Sequence, residues 1–221
     1  DRKLVKMWQP RDEEGSVHRV TDIEDIPLNQ GTWLILGRTH SKLQSLRESI
    51  EERGIYYEYK NRKSYNERLF RNILNYERWR EGTLLSITEC KDLFEFLNKE
   101  FNHTDERLYD LKEFGYSVTQ IWYEVFETHP EESLYIRLMR QNGEELSKPA
   151  RVKLSTMHAA KGGEADNVLL VLDNTKKIRE AVDKDQDKRD EEHRVWYVGV
   201  TRTKQNLYIM EAKKEWNGYD I

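Results

Sequence analysis

The stretch STMHAAKGGEADNVLLVLD, residues 155–173, decides how the chain is read. A small-residue turn carrying a histidine, a lysine, two glycines and a glutamate runs straight into an apolar strand, NVLLVL (167–172), and RVKLSTM (151–157) leads into that turn with strand character of its own. Upstream, WLILG (33–37) is a nearly continuous apolar run, the signature of a strand covered on both faces. SKLQSLRESIEERG follows at 41–54. There Ser41 and Gln44 form a capping-box pair, Leu43, Leu46 and Ile50 form one stripe, and Gly54 suits a helix stop. IYYEY (55–59) then reads as a further strand, and strand, helix, strand at this spacing is a βαβ unit favouring a parallel sheet.

Away from this centre the pattern changes. SVHRV (16–20) reads as a short strand within a lead-in that ends near Gly31. A helix is predicted from about Ser64 to Arg80, with Ser64 and Glu67 as its capping box and Tyr65, Leu69, Ile73 and Leu74 on its buried face. Residues 83–141 read as mostly helical: Leu93, Phe94 and Leu97 mark one helix, Leu108 and Leu111 another, and Ile121, Trp122 and Val125 a third starting near Ser117. A fourth starts at Pro130, well suited to a first helical position, and Asn142-Gly143 stops it. Residues 176–188 read as a solvated helix surface and loop. A helix carrying Val195, Trp196 and Val200 follows, then a last strand, LYIM.

The bulk properties narrow the classes. The 221 residues are 35% charged and 37% hydrophobic with formal net charge −4, so any nucleic-acid contact must be local rather than a whole-chain basic attraction. No apolar run approaches the length of a membrane span, and no signal-like segment opens the chain. It starts on Asp1 rather than Met, which reads as a piece of something longer. The single cysteine, Cys90, is expected in a core and fits a reducing compartment. The six histidines, at 18, 40, 103, 129, 158 and 193, show no ligand-like spacing, so no protein-bound metal is expected.

TMHAAKGGE (156–164) resembles motif V of the UvrD/Rep family of superfamily 1 DNA helicases, and YVGVTRTKQNLYI (197–209) resembles its motif VI. LILGRTH (34–40) resembles motif IV. The resemblance implies an α/β fold, a RecA-like parallel sheet of the P-loop NTPase type with a short helical insertion. In that family two RecA-like domains clamp one ATP and walk 3′ to 5′ along single-stranded DNA. This chain has no GxxxxGK[ST] loop, so the resemblance makes it the second domain, 2A, inactive in isolation. Residues 1–30 would be the lead-in from the first domain, 31–81 and 150–221 the RecA-like domain, and 82–149 a reduced insertion. ATP is the implied cofactor, with Mg2+ held by the first domain. Implied partners are single-stranded DNA, its junction with duplex and that first domain. A cytoplasmic, nucleoid-associated setting in repair or replication goes with them.

The resemblance also implies roles. Arg38 and Arg202 would both reach the γ-phosphate, where a guanidinium neutralises developing charge and makes domain closure depend on nucleotide state. Arg38 ends a strand, and ligands collect at the carboxyl ends of parallel strands. Glu164 would bond the ribose, with Gly162 and Gly163 allowing an unusual backbone turn beside the ligand. Thr156 and His158 resemble DNA-contacting residues that donate to phosphate oxygens without reading bases. Lys161 pairs with a phosphate or with an internal acid. Thr201 would relay the position of Arg202, Trp196 belongs to the core, Tyr197 packs on the sheet, and Glu192 and Arg194 are helix-surface salt-bridge residues. The chain departs from the family at Gly37, where a tyrosine commonly stacks on adenine, and at Gly163 and Ala165, which replace a bulky apolar and an aromatic residue. Two other classes stay open: a RecA-like DNA-binding or interaction module without motor function, and part of a helicase-nuclease subunit.

Overall fold

The computed structural model describes residues 14–160, 162–212 and 218–219. The chain divides into two compact units, Asp1–Ser49 with Arg151–Ile221, and Ile50–Ala150.

The first unit is a parallel α/β sheet. Its strands are β1 (Ser16–Val20), β2 (Trp33–Gly37), and, after the second unit, β5 (Val152–Thr156), β6 (Ala165–Val171) and β7 (Thr203–Met210). They lie in the order β1-β7-β6-β2-β5, every neighbouring pair parallel. All five residues of β2 are buried, as a central strand flanked by two others requires. Helix α1 (His40–Glu52) follows β2 and buries the expected stripe of Leu43, Leu46 and Ile50. It begins one residue ahead of Ser41, so Ser41 lies inside the first turn rather than capping it. The charged run folds into α6 (Lys176–Lys184), capped by Thr175, and α7 (Gln186–Val200), capped by Asp185, whose carboxylate accepts from the Asp187 and Lys188 amides. Leu34, Leu36, Met157, Val168, Leu170, Trp196 and Leu207 share one buried cluster.

Residues 16–20 form a strand, as expected, and it belongs to this sheet. Ser16–Val20 bond alongside Asn206–Met210, and Ile23, Ile26 and Leu28 are buried behind them.

The second unit holds a two-stranded hairpin, β3 (Tyr57–Tyr59) against β4 (Arg62–Lys63), and helices α2 (Glu67–Arg80), α3 (Ile87–Phe94), α4 (Trp122–Val125) and α5 (Pro130–Gln141). This compact unit begins at Ile50 and includes α2. Leu69, Ile73, Tyr76 and Trp79 join Phe94, Tyr109, Trp122 and Ile136 in one cluster. Leu74 is 42% exposed and takes no part in that face. Asn66 caps α2, while the hydroxyl of Ser64 accepts the Tyr57 amide and bonds the Tyr135 hydroxyl. No helix forms around Leu108, which is 57% exposed. Tyr109 instead bridges antiparallel to Leu85, and only a 3-10 turn, Leu111–Phe114, follows. The helix expected from Ser117 shrinks to the single turn of α4; α5 starts at Pro130 as expected. Cys90 is fully buried, which pushes its thiol up to about 12.

Candidate functional site

Strand direction sorts the site residues. In a parallel sheet every strand enters at one edge and leaves at the other. Arg38 follows the last residue of β2, and Thr156 is the last residue of β5 with His158 just beyond it, so these three stand at the carboxyl edge. Arg202 precedes β7 and Glu164 precedes β6, so these stand at the amino edge. Residues 157–164 form the link between the edges: eight residues carry the chain from the end of β5 back to the start of β6.

This placement separates the two arginines along the strands. Gly37 is level with Val171 and Thr203 with Ala165, so Arg38 and Arg202 are eight positions apart along the strands, roughly 25 Å at ~3.3 Å per residue. Their side chains reach toward one another only in part. Arg38 is held by Glu192 and Arg202 by Val198, six residues apart on α7, or about 9 Å along a helix. Two donors sharing one γ-phosphoryl group must each come within about 3 Å of its oxygens. Arg38 and Arg202 stand at opposite ends of the strands.

At the carboxyl edge, Arg38 is 19% exposed and donates its Nε–H to both carboxylate oxygens of Glu192, each at 3.0 Å. Its Nη1 lies 3.5 Å from His158 Nδ1. Glu192 is only 3% exposed and also accepts from Trp196 Nε1 at 2.8 Å. The expectation of a surface salt bridge is therefore overturned for Glu192. Its charge is buried, and a buried carboxylate is tolerated only when paired and hydrogen-bonded. Trp196 is core, as expected, and the ring of Tyr219 stacks on it at 4.7 Å. His158 is exposed; Thr156 is buried, its carbonyl accepting from the Ala159 and Ala160 amides. Lys42, in the first turn of α1, pairs with Asp173 at 3.0 Å on this edge.

Gly37 is buried at the same edge, and a Cβ there would stand 2.9 Å from Leu43 Cγ and Cδ2. Leu43 fills the space beside this glycine.

At the amino edge, Arg202 donates from Nε to the Val198 carbonyl at 3.1 Å and from Nη2 to Thr201 Oγ1 at 3.3 Å. The local bond expected of Thr201 is present. Among the described residues no carboxylate pairs with Arg202. The Ala165 amide bonds the Arg202 carbonyl at 3.2 Å, so Glu164 and Arg202 stand on neighbouring strand starts. Glu164, Gly162 and Gly163 are exposed, and Gly162 has φ +83° with nothing within 4 Å of where a Cβ would sit. Ala165 is buried in the sheet cluster, packing that a ring would otherwise supply. Below them Thr32 donates its amide and hydroxyl to Asp166, holding that carboxyl below its usual range. Tyr197 is 50% exposed. Lys161 lies outside the described residues.

The arrangement has two faces of different chemistry. One end of the sheet offers a guanidinium with no carboxylate partner among the described residues, a neighbouring acid and an open glycine turn; the other offers an exposed imidazole and an anchored guanidinium. The mostly parallel sheet with helices is the α/β fold of a RecA-like helicase domain. The profile of the UvrD-like helicase C-terminal domain matches residues 86–214, more than half of the chain, and the chain belongs to that family. A DNA helicase II from Rickettsia typhi (strain ATCC VR-144 / Wilmington) is 40% identical over 73 residues. That match covers 32% of this chain and 11% of the helicase, so the chain spans a small part of its curated relative. Among the described residues no helix is long and apolar enough to cross a membrane.

Proposed function

We propose that the sheet unit is the second motor domain of an ATP-dependent 3′–5′ DNA helicase or translocase, with its amino edge turned to nucleotide and its carboxyl edge to single-stranded DNA. Membership of the UvrD-like C-terminal family and likeness to a DNA helicase II support the class. The observation that carries the assignment is Arg202. It sits at the end of α7 beside Glu164, oriented by Val198 and Thr201, with no carboxylate consuming its charge among the described residues.

On this reading ATP and Mg2+ are gripped by a first RecA-like domain, and ATP supplies a γ-phosphoryl group whose charge grows during transfer. Arg202 approaches that group and stabilises the charge. Glu164 accepts from ribose hydroxyls, and the open turn at Gly162 and Gly163 lets backbone come close. Thr156 and His158 hold a DNA phosphate, joined by Arg38 on the strength of their common edge. Lys161 belongs to the same motif and is assigned to phosphate with them. The chain alone turns over no ATP, since half of the catalytic groups lie on the partner domain.

The test joins the chain to a first RecA-like domain and measures DNA-stimulated ATP hydrolysis. Arg202→Ala is expected to lower turnover by about 10³-fold, the scale of an arginine finger, with the fold unchanged. Unaltered turnover sinks the assignment.

A further inference from the structure

The geometry points to Glu192 as a positioning residue: through a buried ion pair it aims Arg38 at nucleic-acid phosphate, and it ties that grip to α7, the helix whose last turn bonds Arg202. The inference rests on the carboxyl edge facing DNA, and the experiment below separates the two.

Three observations carry it. First, Glu192 takes Arg38 by Nε alone, with both oxygens at 3.0 Å, while Nη1 turns to within 3.5 Å of His158. An arginine held purely for stability would commonly give its two-pronged face to the carboxylate. Here the guanidinium is gripped from the side and much of its donor fork is left toward the exposed imidazole. Second, the carboxylate is itself fixed. Trp196 Nε1 donates to the same Oε1 that Arg38 uses, and Tyr219 stacks on the indole. Such a locked anchor leaves little rotamer freedom for either partner. Third, Glu192 and Val198 lie on one helix, so the element that positions Arg38 at the carboxyl edge also bonds Arg202 at the amino edge. Gly199 brings this helix close on the sheet: a Cβ there would lie 3.0 Å from Leu170 Cδ2. A displacement of the helix therefore moves both anchors.

A charge argument makes the role testable by sign. Glu192 places a negative charge beside the cation that would meet phosphate. If it acted only through its field, removing the charge would tighten binding of a polyanion. If it positions Arg38, removing it loosens binding, because the side chain gains freedom that binding must then pay back.

The probe is a fluorescein-labelled oligothymidine, and the readout is its anisotropy with the full chain across a range of salt. Arg38→Gln retains a donor for Glu192 and discards the cation. It should lower affinity on the order of tenfold and reduce the slope of log K against log salt by about 0.7, one single-strand phosphate contact. Glu192→Gln, nearly isosteric, should weaken binding on the order of fivefold, as a charge-assisted anchor is replaced by a neutral one. The double variant should be no weaker than Arg38→Gln alone, and it leaves no unpaired buried charge should either single change disturb the fold. In the native chain the Arg38 Nε–H proton resonance should be shifted and slow to exchange, and Glu192→Gln should abolish both. Binding by Glu192→Gln as tight as native or tighter, beside a weakened Arg38→Gln, overturns the positioning role and keeps the DNA edge. An Arg38→Gln chain that binds like the native one, or a native chain that binds no oligothymidine at low salt, removes the DNA-edge reading itself.

Discussion

Gly199 fixes how closely α7 lies on the sheet, and replacing it tests whether that contact sets the height of the helix. A Cβ at this position would stand 3.0 Å from Leu170 Cδ2, 3.5 Å from Met157 Sδ and 3.8 Å from Leu36 Cδ1, and all three side chains are buried. For Gly199→Ala two effects nearly cancel. Helix propensity favours alanine by about 1 kcal/mol, and the crowded methyl costs about the same. Gly199→Val puts two more methyl groups into the same space for a smaller propensity gain. Overpacking of about 1–3 kcal/mol then dominates, and a net loss of ~2 kcal/mol lowers the melting temperature by about 4–8 °C in a chain of this size. Thermal unfolding followed by circular dichroism checks it. The same strain is relieved by lifting the helix, so oligothymidine binding should fall as well. A valine variant that melts at or above the native temperature would refute the reasoning, with the flexible Met157 thioether as the group that had given way.

Two further outcomes are expected. Gly162→Ala should cost about 1–2 kcal/mol, because φ +83° is left-handed and the surrounding space is open, so nothing but backbone strain opposes the methyl. Its neighbour Gly163→Ala should be near neutral, its Cβ making an ordinary 3.5 Å contact with the Ala160 carbonyl, and chemical denaturation of the two variants compares them directly. In the helical unit, burial pushes the Asp92 carboxyl up, but donation from Arg71, Asn72 and Arg68 outweighs it and holds the group at about 2 against an ordinary 3.8. The depressed value means stability that is complete above about pH 4 and is lost as pH falls toward 2. Asp92→Asn should cost about 1–2 kcal/mol at neutral pH after screening, and should flatten the acid limb of the stability curve in urea titrations.

Much of the fold was legible from local pattern. The apolar runs at 33–37 and 167–172 and the stripe of Leu43, Leu46 and Ile50 mark a parallel sheet with helices, and the strands and helices stand where those runs are. The misreadings have physical causes. Leu108 and Leu111 have helical spacing, yet Tyr109 finds its backbone partner in Leu85, a pairing that no local pattern announces. Glu192 stands in an all-charged run, DEEHR, and so reads as surface. Its signal is the spacing Glu192, Trp196, Gly199, one face of a helix at i, i+4 and i+7, which puts the acid on the buried side. The separation of Arg38 from Arg202 along the strands is already written in the sequence. One arginine follows its strand and the other precedes its own, and in a parallel sheet those are opposite ends.

The first strand has a consequence for tethering. β1 runs parallel to β7, so Ser16 enters the sheet beside Asn206, at the end where Arg202 and Glu164 stand. Whatever the chain carries ahead of Ser16 is covalently tied to that end of the sheet, so its local concentration there is set by the tether and not by diffusion from bulk.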